Sequence, residues 1–550
     1  PLDALYRRNF LFNYQYGFNY NITKSLKVNF NASSSNIVRN YLDANNVPDN
    51  SVEIWDDYWN VGAPNQHNKQ IVVNYDLPIN KIPFLSFVKS NYTYTGDYSW
   101  QKASQALAEI ELGGIEYNLG NTIQNAGSHK LNTSFAMDNF YKYIGLTKST
   151  KKGSPKQPTK APKPGEKIVN TNLPATSSNS VFKDGMIGLL TSIKNIQVNY
   201  TENKSTVLPG FTQGLGFFGS TKPTIGFVLG SQSDIRYEAA KMGYLTNYPD
   251  FNQNFTQVTS KTLNFNAKVD LFPDFTIDFT ADRTYADNFS EQFDTQGGQY
   301  NSRSPYTTGN FAISTTMLKT SFKTSDDINS SPFDDFRNNR IIVARRVATS
   351  YGIDLSNPAN IDPEGFPVGF GKNSQAVLIP SFLAAYTGLI SGKQGESAKD
   401  ISLGSFRDIP IPNWTMKYSG LMRYKMFKEK FKRFSLQSAY KASYTINSFR
   451  SNLEYDTQPA GSVDTGGNFL NKTVIGNINL VEQFSPLMRV DMELKSSVKI
   501  LAEMKRDRAM SMSFDNNLLT EVKGVDYTVG LGYRIKDVTI STKLADNPTG

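Results

Sequence analysis

The chain has 550 residues, and 58 Lys and Arg against 49 Asp and Glu leave a net charge of +9. With no cysteine and only two histidines, it lacks the raw material for thiolate or imidazole metal sites, haem ligation, and Cys/His or Ser/His/Asp catalysis. Its 36 Phe and 29 Tyr coexist with a mean hydropathy of −0.43, so rings are mixed finely among polar residues, and the most apolar helix-like run, Val377 to Tyr386, is broken by Pro380. A spanning helix needs about 20 consecutive apolar residues, so helical membrane proteins are excluded.

In chain order, the first pattern is strict alternation. Phe10, Phe12, Tyr14, Tyr16, Phe18 and Tyr20 share one parity, and Asn13, Gln15, Gly17, Asn19 and Asn21 the other. On a strand, successive side chains point to opposite faces, which predicts one aromatic wall and one amide wall. After a turn around Thr23 to Ser25, Leu26, Val28, Phe30 and Ala32 oppose Lys27, Asn29, Asn31 and Ser33, which predicts a hairpin. The histidines, His67 and His129, lie in Asn/Gly/Ser-rich surroundings and are read as loop residues.

From Lys148 to Lys167 seven lysines stand against Glu166, interleaved with Pro, Gly, Ser and Thr and without an aromatic, so most of the net charge belongs to one solvated segment. A nucleic-acid groove interleaves cations with stacking rings, so no nucleic-acid partner is expected. The implied organisation is strands and loops over 1–146, a Lys/Pro-rich disordered insertion over 147–180, and strands and loops over 181–550.

Alternation then returns. Leu263, Phe265, Ala267, Val269 and Leu271 oppose Asn264, Asn266, Lys268 and Asp270, and beyond a Phe-Pro-Asp turn Phe275, Ile277, Phe279 and Ala281 oppose Thr276, Asp278, Thr280 and Asp282. The run VLIPSFLAAYTG from Val377 interrupts the pattern; packing into a lumen, packing against a partner, and a helical cap buried in its own loop all fit it. Later Phe434, Leu436, Tyr440, Ala442, Tyr444 and Ile446 oppose Ser435, Gln437, Lys441, Ser443, Thr445 and Asn447, and Tyr527, Val529, Leu531 and Tyr533 oppose Thr528, Gly530, Gly532 and Arg534.

Each stretch runs about 9–12 residues, which at about 3.3 Å per residue and a tilt near 40–45° crosses about 25 Å of hydrocarbon. The expected fold is therefore all-β, a transmembrane antiparallel β-barrel or a section of a very large one, with roughly 14–18 strands and long polar loops. Tight turns (ITKS, LPINKIP, FPD, MFKEKFKRF, FSP) alternate with long polar stretches at Ser33 to Asn68, Ala286 to Gly309 and Tyr351 to Pro412. Short periplasmic turns and longer outer loops are the barrel habit, and it assigns the Pro- and Lys-bearing turns to the periplasm. Tracing strand directions from Pro78 to Pro83 places the 148–167 insertion on that inner side as well.

Phe12, Tyr14, Tyr16, Phe18, Phe265, Val269, Phe279, Tyr440, Tyr444 and Val529 are the expected lipid-facing set. Asn13, Gln15, Asn19, Asn29, Asn264, Asn266, Lys268, Asp270, Gln437, Lys441 and Thr445 are the expected lumen-facing set. No catalytic, metal or cofactor residues are expected. The pairs Asp56-Asp57 and Asp334-Asp335 lack ligand-spaced loops and are read as solvated carboxylates. Lys425, Lys428, Lys430, Lys432 and Arg433 form a basic turn suited to lipid headgroups or an acidic partner.

Several connectors carry more than general barrel chemistry. YDLPINKIPFLSFV (Tyr75 to Val88), LGNTIQNA (Leu119 to Ala126), TVLPGF (Thr206 to Phe211), GFGKNSQAVLIPSFLAAYTG (Gly369 to Gly388), IPIPNWTMKYSGL (Ile409 to Leu421), EQFSPLMRVDMELK (Glu482 to Lys495) and MSMSFDNNLLTE (Met510 to Glu521) resemble segments of the SprA/Sov family, the outer-membrane translocons of the type IX secretion system in Bacteroidota. The resemblance implies a section of a much larger barrel that passes folded secreted or cell-surface proteins, with a barrel partner at a lateral opening and a periplasmic plug protein. The barrel reading carries a separate expectation of further sequence at both ends, because an exported protein needs a signal peptide where PLDALYRRNF leads straight into a strand pattern, and the chain stops at Ala545 to Gly550 where many bacterial barrels end on an aromatic in the last strand. The alternatives are a TonB-dependent receptor or porin-like barrel for small solutes, the former expected to carry a plug domain ahead of its first strand, and a soluble β-rich adhesin.

Overall fold

Period-two sequence becomes one long-stranded antiparallel sheet. The computed structural model describes residues 8–40, 61–103, 109–146, 188, 190–326, 328–388, 397–533 and 535. The strands are β1 (Arg8–Asn21), β2 (Leu26–Asn40), β3 (Ala63–Leu77), β4 (Val88–Gln101), β5 (Glu109–Leu112), β6 (Ile115–Asn118), β7 (Asn121–Ala136), β8 (Ile193–Phe211), β9 (Asn254–Phe272), β10 (Phe275–Gln296), β11 (Gln299–Ser314), β12 (Asn413–Tyr418), β13 (Phe431–Ser451), β14 (Thr473–Ile475), β15 (Asn477–Leu494), β16 (Val498–Ser513) and β17 (Leu518–Tyr533). Fifteen of them form a single sheet and β5 and β6 a separate hairpin. Chain neighbours are sheet neighbours nearly throughout, from β1 at one edge to β17 at the other, and among the described residues these end strands do not pair with each other. No helix of the described residues is long and apolar enough to cross a membrane.

One strand position is shared. The chain leaves the sheet at the end of β11 and returns as β12, and both pieces run antiparallel to β10 and to β13. The join is stitched by local bonds: Asp282 N–H donates to Ser314 Oγ (2.5 Å), and Ala442 N–H donates to Asn413 Oδ1 (2.8 Å). Residues 315–412 thus form an excursion from the middle of a strand, built on helices Ser331–Ser350 and Gln375–Tyr386. A second connector, 212–253, carries the short helices Ile225–Val228 and Arg236–Lys241.

Three expectations change. Ala286 to Gly309 is not a long loop, because β10 and β11 continue through it to a hairpin at Gly297-Gly298, whose φ angles of 59° and 77° suit glycine. FSP is not a turn, since Phe484 to Pro486 lie inside β15. The main strands are also longer than the alternating runs, up to the 22 residues of β10, because they continue into a region where connectors supply the neighbours. The other expected turns do join antiparallel neighbours: ITKS β1 to β2, LPINKIP β3 to β4, FPD β9 to β10, and the basic turn β12 to β13.

Candidate functional site

Register carries a face across the sheet, so each residue is placed by its neighbours. Tyr16 lies opposite Ala32, Ala32 opposite Lys69, Lys69 opposite Tyr98, Tyr98 opposite Asn125, Asn125 opposite Thr206, Thr206 opposite Gln257 and Gln257 opposite Phe289. Followed through β12 and β13, Phe279 faces Trp414, Trp414 faces Tyr440, and Tyr440 faces Phe484. Phe12, Tyr14, Tyr16, Phe18, Phe265, Val269, Phe279, Tyr440, Tyr444 and Val529 therefore share one face. Asn13, Gln15, Asn19, Asn29, Asn264, Asn266, Lys268, Asp270, Gln437, Lys441 and Thr445 share the other.

From β1 to β10 the second face is chiefly amide and hydroxyl, and from β15 to β17 it is charged, with Arg489 joined to Asp491 (2.7 Å) and Glu503 (3.3 Å) and Lys505 to Glu503 (3.1 Å). One cross-strand row runs Asp76, Asn91, Asn132, Asn199, Asn264, Asp282 over six strands, with Asn91 Nδ2 donating to Asp76 Oδ1 at 2.8 Å. Gln70 donates to Asp97 (2.8 Å) and Ser128 to Asn203 (2.7 Å) on the same wall. Two depressions in it, about 530 and 630 Å³, are open and lined mostly by Asn, Gln, Ser and Thr, with Asp76, Lys89 and Asp97 among them. Such a surface offers many weak bonds and no enclosed pocket; among the described residues no His/Asp/Glu group is placed to hold a metal.

The aromatic face is divided along its length. Toward the short turns it is aromatic and aliphatic, as in Phe265, Val269, Ile277 and Phe279, and at the β17 edge Tyr527 and Val529 are about three-quarters exposed (74% and 76%). Toward the opposite end the connectors cover it. Tyr440 and Tyr444 are buried in one cluster with Phe311, Leu480 and the helix residues Val377 and Phe382, so these two do not meet lipid: the chain's own excursion occupies their face. The helix Gln375–Tyr386 is apolar all round and is accordingly buried, which selects the buried helical cap among the three sequence readings of VLIPSFLAAYTG.

Each cover is locked by buried polar groups. Under the 315–412 excursion, Arg508 bonds Glu521 (2.5 Å) and Thr320 Oγ1 (2.9 Å), while Glu482 accepts from Ser321 (2.5 Å) and Tyr440 (2.8 Å). Under 212–253, Asn125 donates to the Phe227 and Ser231 carbonyls (3.0 and 2.7 Å), and Arg236 joins Asp234 (2.8 Å) to the buried Glu291. Arg236's hydrogen bonds hold the Asp234 carboxyl below its usual range. Gly96 and Gly127 let the Leu229-Gly230 backbone lie directly on β4 and β7. Tyr14 and Tyr16 hydroxyls donate to the Phe217 and Phe218 carbonyls (2.5 and 2.8 Å), so the tip of this connector reaches the edge strand.

Sequence reasoning placed both histidines in loops, and both are on strands of the aromatic face. His67 is buried beside Ser34, and His129 Nδ1 is 2.6 Å from the Tyr92 hydroxyl. It also missed the locks, although one signal was present: Glu482, Arg506 and Arg508 are charges on parities that are otherwise mostly apolar. Asp334 falls in the first turn of helix Ser331–Ser350, and Asp335 follows it, 3.6 Å from Lys323. Asp56-Asp57 and the Lys148 to Lys167 insertion lie outside the described residues. The connection holding that insertion leaves from β7 and returns to β8 at the same end as the short turns.

A fifteen-stranded antiparallel wall, polar on one face and aromatic on the other, is the architecture of β-barrel walls of the outer-membrane class. No protein-family model and no curated protein sequence matches the chain. Among solved structures it is similar to the outer membrane transporter YddB from Escherichia coli (8% identity, TM-score 0.23, covering 92% of this chain and 56% of that one) and to CdiB from Acinetobacter baumannii (8%, TM-score 0.14, covering 94% and 59%). The chain thus spans less than two thirds of either neighbour, and at such scores neither resemblance bears on what it does.

Proposed function

We propose that this chain is part of the wall of an outer-membrane channel that conducts secreted or cell-surface proteins, of the type IX translocon kind that its connector motifs resemble. The observation that carries the reading is the polar face, which from β1 to β10 presents Asn, Gln, Ser and Thr across successive strands without a tight site and from β15 to β17 presents charges paired with one another. A conduit for folded proteins of varied surface must bind none of them well, and dispersed hydrogen-bonding groups, with charges that already have partners on the wall, meet that need. The opposite face, free of covering chain near the short turns, supplies the lipid contact, and unpaired edges at β1 and β17 call for further strands, because an open edge in hydrocarbon leaves backbone groups unsatisfied. A lateral barrel partner and a periplasmic plug protein belong to the same proposal.

The test is cross-linking during export. A photoreactive residue at Asn132 or Asn266 in the native bacterium should capture secreted proteins in transit, and one at Phe265 should capture none. Loss of uptake of a small solute with secretion intact in a deletion strain would instead favour a receptor or porin.

A further inference from the structure

The aromatic face carries one groove near its short-turn end, where β9, β10, β12, β13 and β15 meet. Its walls are Phe272, Phe275, Met416, Tyr418, Leu436 and Met488, and its volume is about 420 Å³. The groove has a structural cause. Between Phe484 and Met488 β15 advances four residues while β16 advances two, from Arg506 to Met504, and pairing with β13 lapses over the same interval. The bulge contains Pro486, which has no N–H to give a ladder. The lapse widens the seam next to the short β12, and Ser438, on the same parity as Leu436, brings a polar side chain into an otherwise apolar lining.

The groove ends at the basic turn. Tyr418 pairs with Phe275 and with Leu436, so residues 419–430 begin where the lining stops. Arg423 Nε lies 2.6 Å from Asp274 Oδ2, directly beside Phe275. The helix Lys425–Lys430 is fastened toward the aromatic face through Phe427, 5.0 Å from Phe434 between ring centres. Arg423, Lys425, Lys428 and Lys430 are exposed around it, with Glu429 the one acid of that helix. An apolar slot within the membrane-facing surface thus opens onto an excess of positive charge at its rim.

We infer that this groove seats an acyl chain of an anionic glycerophospholipid whose headgroup lies against Arg423, Lys425, Lys428 and Lys430. The inference rests on the aromatic face meeting lipid, and charge complementarity at the rim selects the headgroup. Each Lys or Arg close to an anionic lipid is worth roughly a fivefold change in binding.

The full chain, purified in detergent and stripped of lipid, is incubated with mixed micelles holding equal phosphatidylglycerol and phosphatidylethanolamine, and the retained lipid is weighed by native mass spectrometry. Phosphatidylglycerol should be retained about fivefold or more over phosphatidylethanolamine. Met488→Trp, which fills the groove, should abolish retention. The exposed triple variant Lys425→Gln/Lys428→Gln/Lys430→Gln, which leaves the sheet untouched, should keep a bound lipid and lose the headgroup preference. Equal retention of the two lipids by the unaltered chain, or retention indifferent to Met488→Trp, overturns the inference while a detergent-requiring chain leaves the membrane reading standing. Recovery of the chain from the aqueous phase without detergent overturns both.

Discussion

At the short-turn end of the wall, Phe265, Val269 and Val529 stand outside both buried clusters, whereas at the other end Tyr440 and Tyr444, on the same face, are packed beneath the 315–412 excursion. The two ends share strands, register and alternation, and differ only in what is laid over the aromatic side. Alternation fixes which residues share a face but carries no information about what that face touches. The covered end adds polar locks to its apolar contacts, and the uncovered end has none on its face between Leu263 and Leu271.

That contrast orders the expected effects of substitution. The largest belongs to the covered end: Arg508→Ala removes a buried guanidinium that bonds Glu521 and both the carbonyl and the hydroxyl of Thr320, and should cost about 3–5 kcal/mol. It should appear as faster proteolysis within 315–412, with strand content by circular dichroism retained. At the uncovered end Phe265→Arg should impair membrane assembly by about 2–4 kcal/mol if it lies near the midplane, while Asn266→Arg one residue away is tolerated. Equal tolerance at both would break the two-face account. Gly96→Ala falls between the ends: a Cβ there strikes the Leu229 carbonyl, so the 212–253 connector should lift. Amide exchange at Leu229 and Gly230 would report it.

A smaller effect is set by pH. Because Asp234 is held below its usual range by Arg236, its contribution is fully present above the ordinary carboxylate value near 3.9 and is lost as pH falls from there through the depressed value. Exchange protection of 225–241 should therefore fall over that acid window, and Asp234→Asn should remove the dependence. The smallest effect is on the amide wall, where Gln15→Lys should change stability by less than about 0.5 kcal/mol.

The sheet was largely legible because a period of two is a backbone property: Phe10 to Asn21 and Leu263 to Asp282 declare their strands and faces without reference to anything distant. The hairpin at Gly297-Gly298 was hidden because its flanks, such as Asp287-Asn288 and Ser302-Arg303, mix polar residues on both parities. The assignment of Tyr440 and Tyr444 to lipid failed for a different reason. Their cover comes from residues 315–412, and no local pattern announces a contact so far along the chain. The excursion left two traces, a helix without a polar side and charges at Glu482, Arg506 and Arg508 where apolar parity predicts none.

The central claim is that consecutive residues of β9 alternate between lipid and water. Since the chain has no cysteine, single cysteines placed from Leu263 to Asp270 can each carry a spin label in the native membrane. The account predicts that labels at Leu263, Phe265, Ala267 and Val269 relax with oxygen dissolved in lipid, and those at Asn264, Asn266, Lys268 and Asp270 with a water-soluble nickel chelate. Uniform access to the chelate at all eight positions, or the opposite alternation, would contradict it.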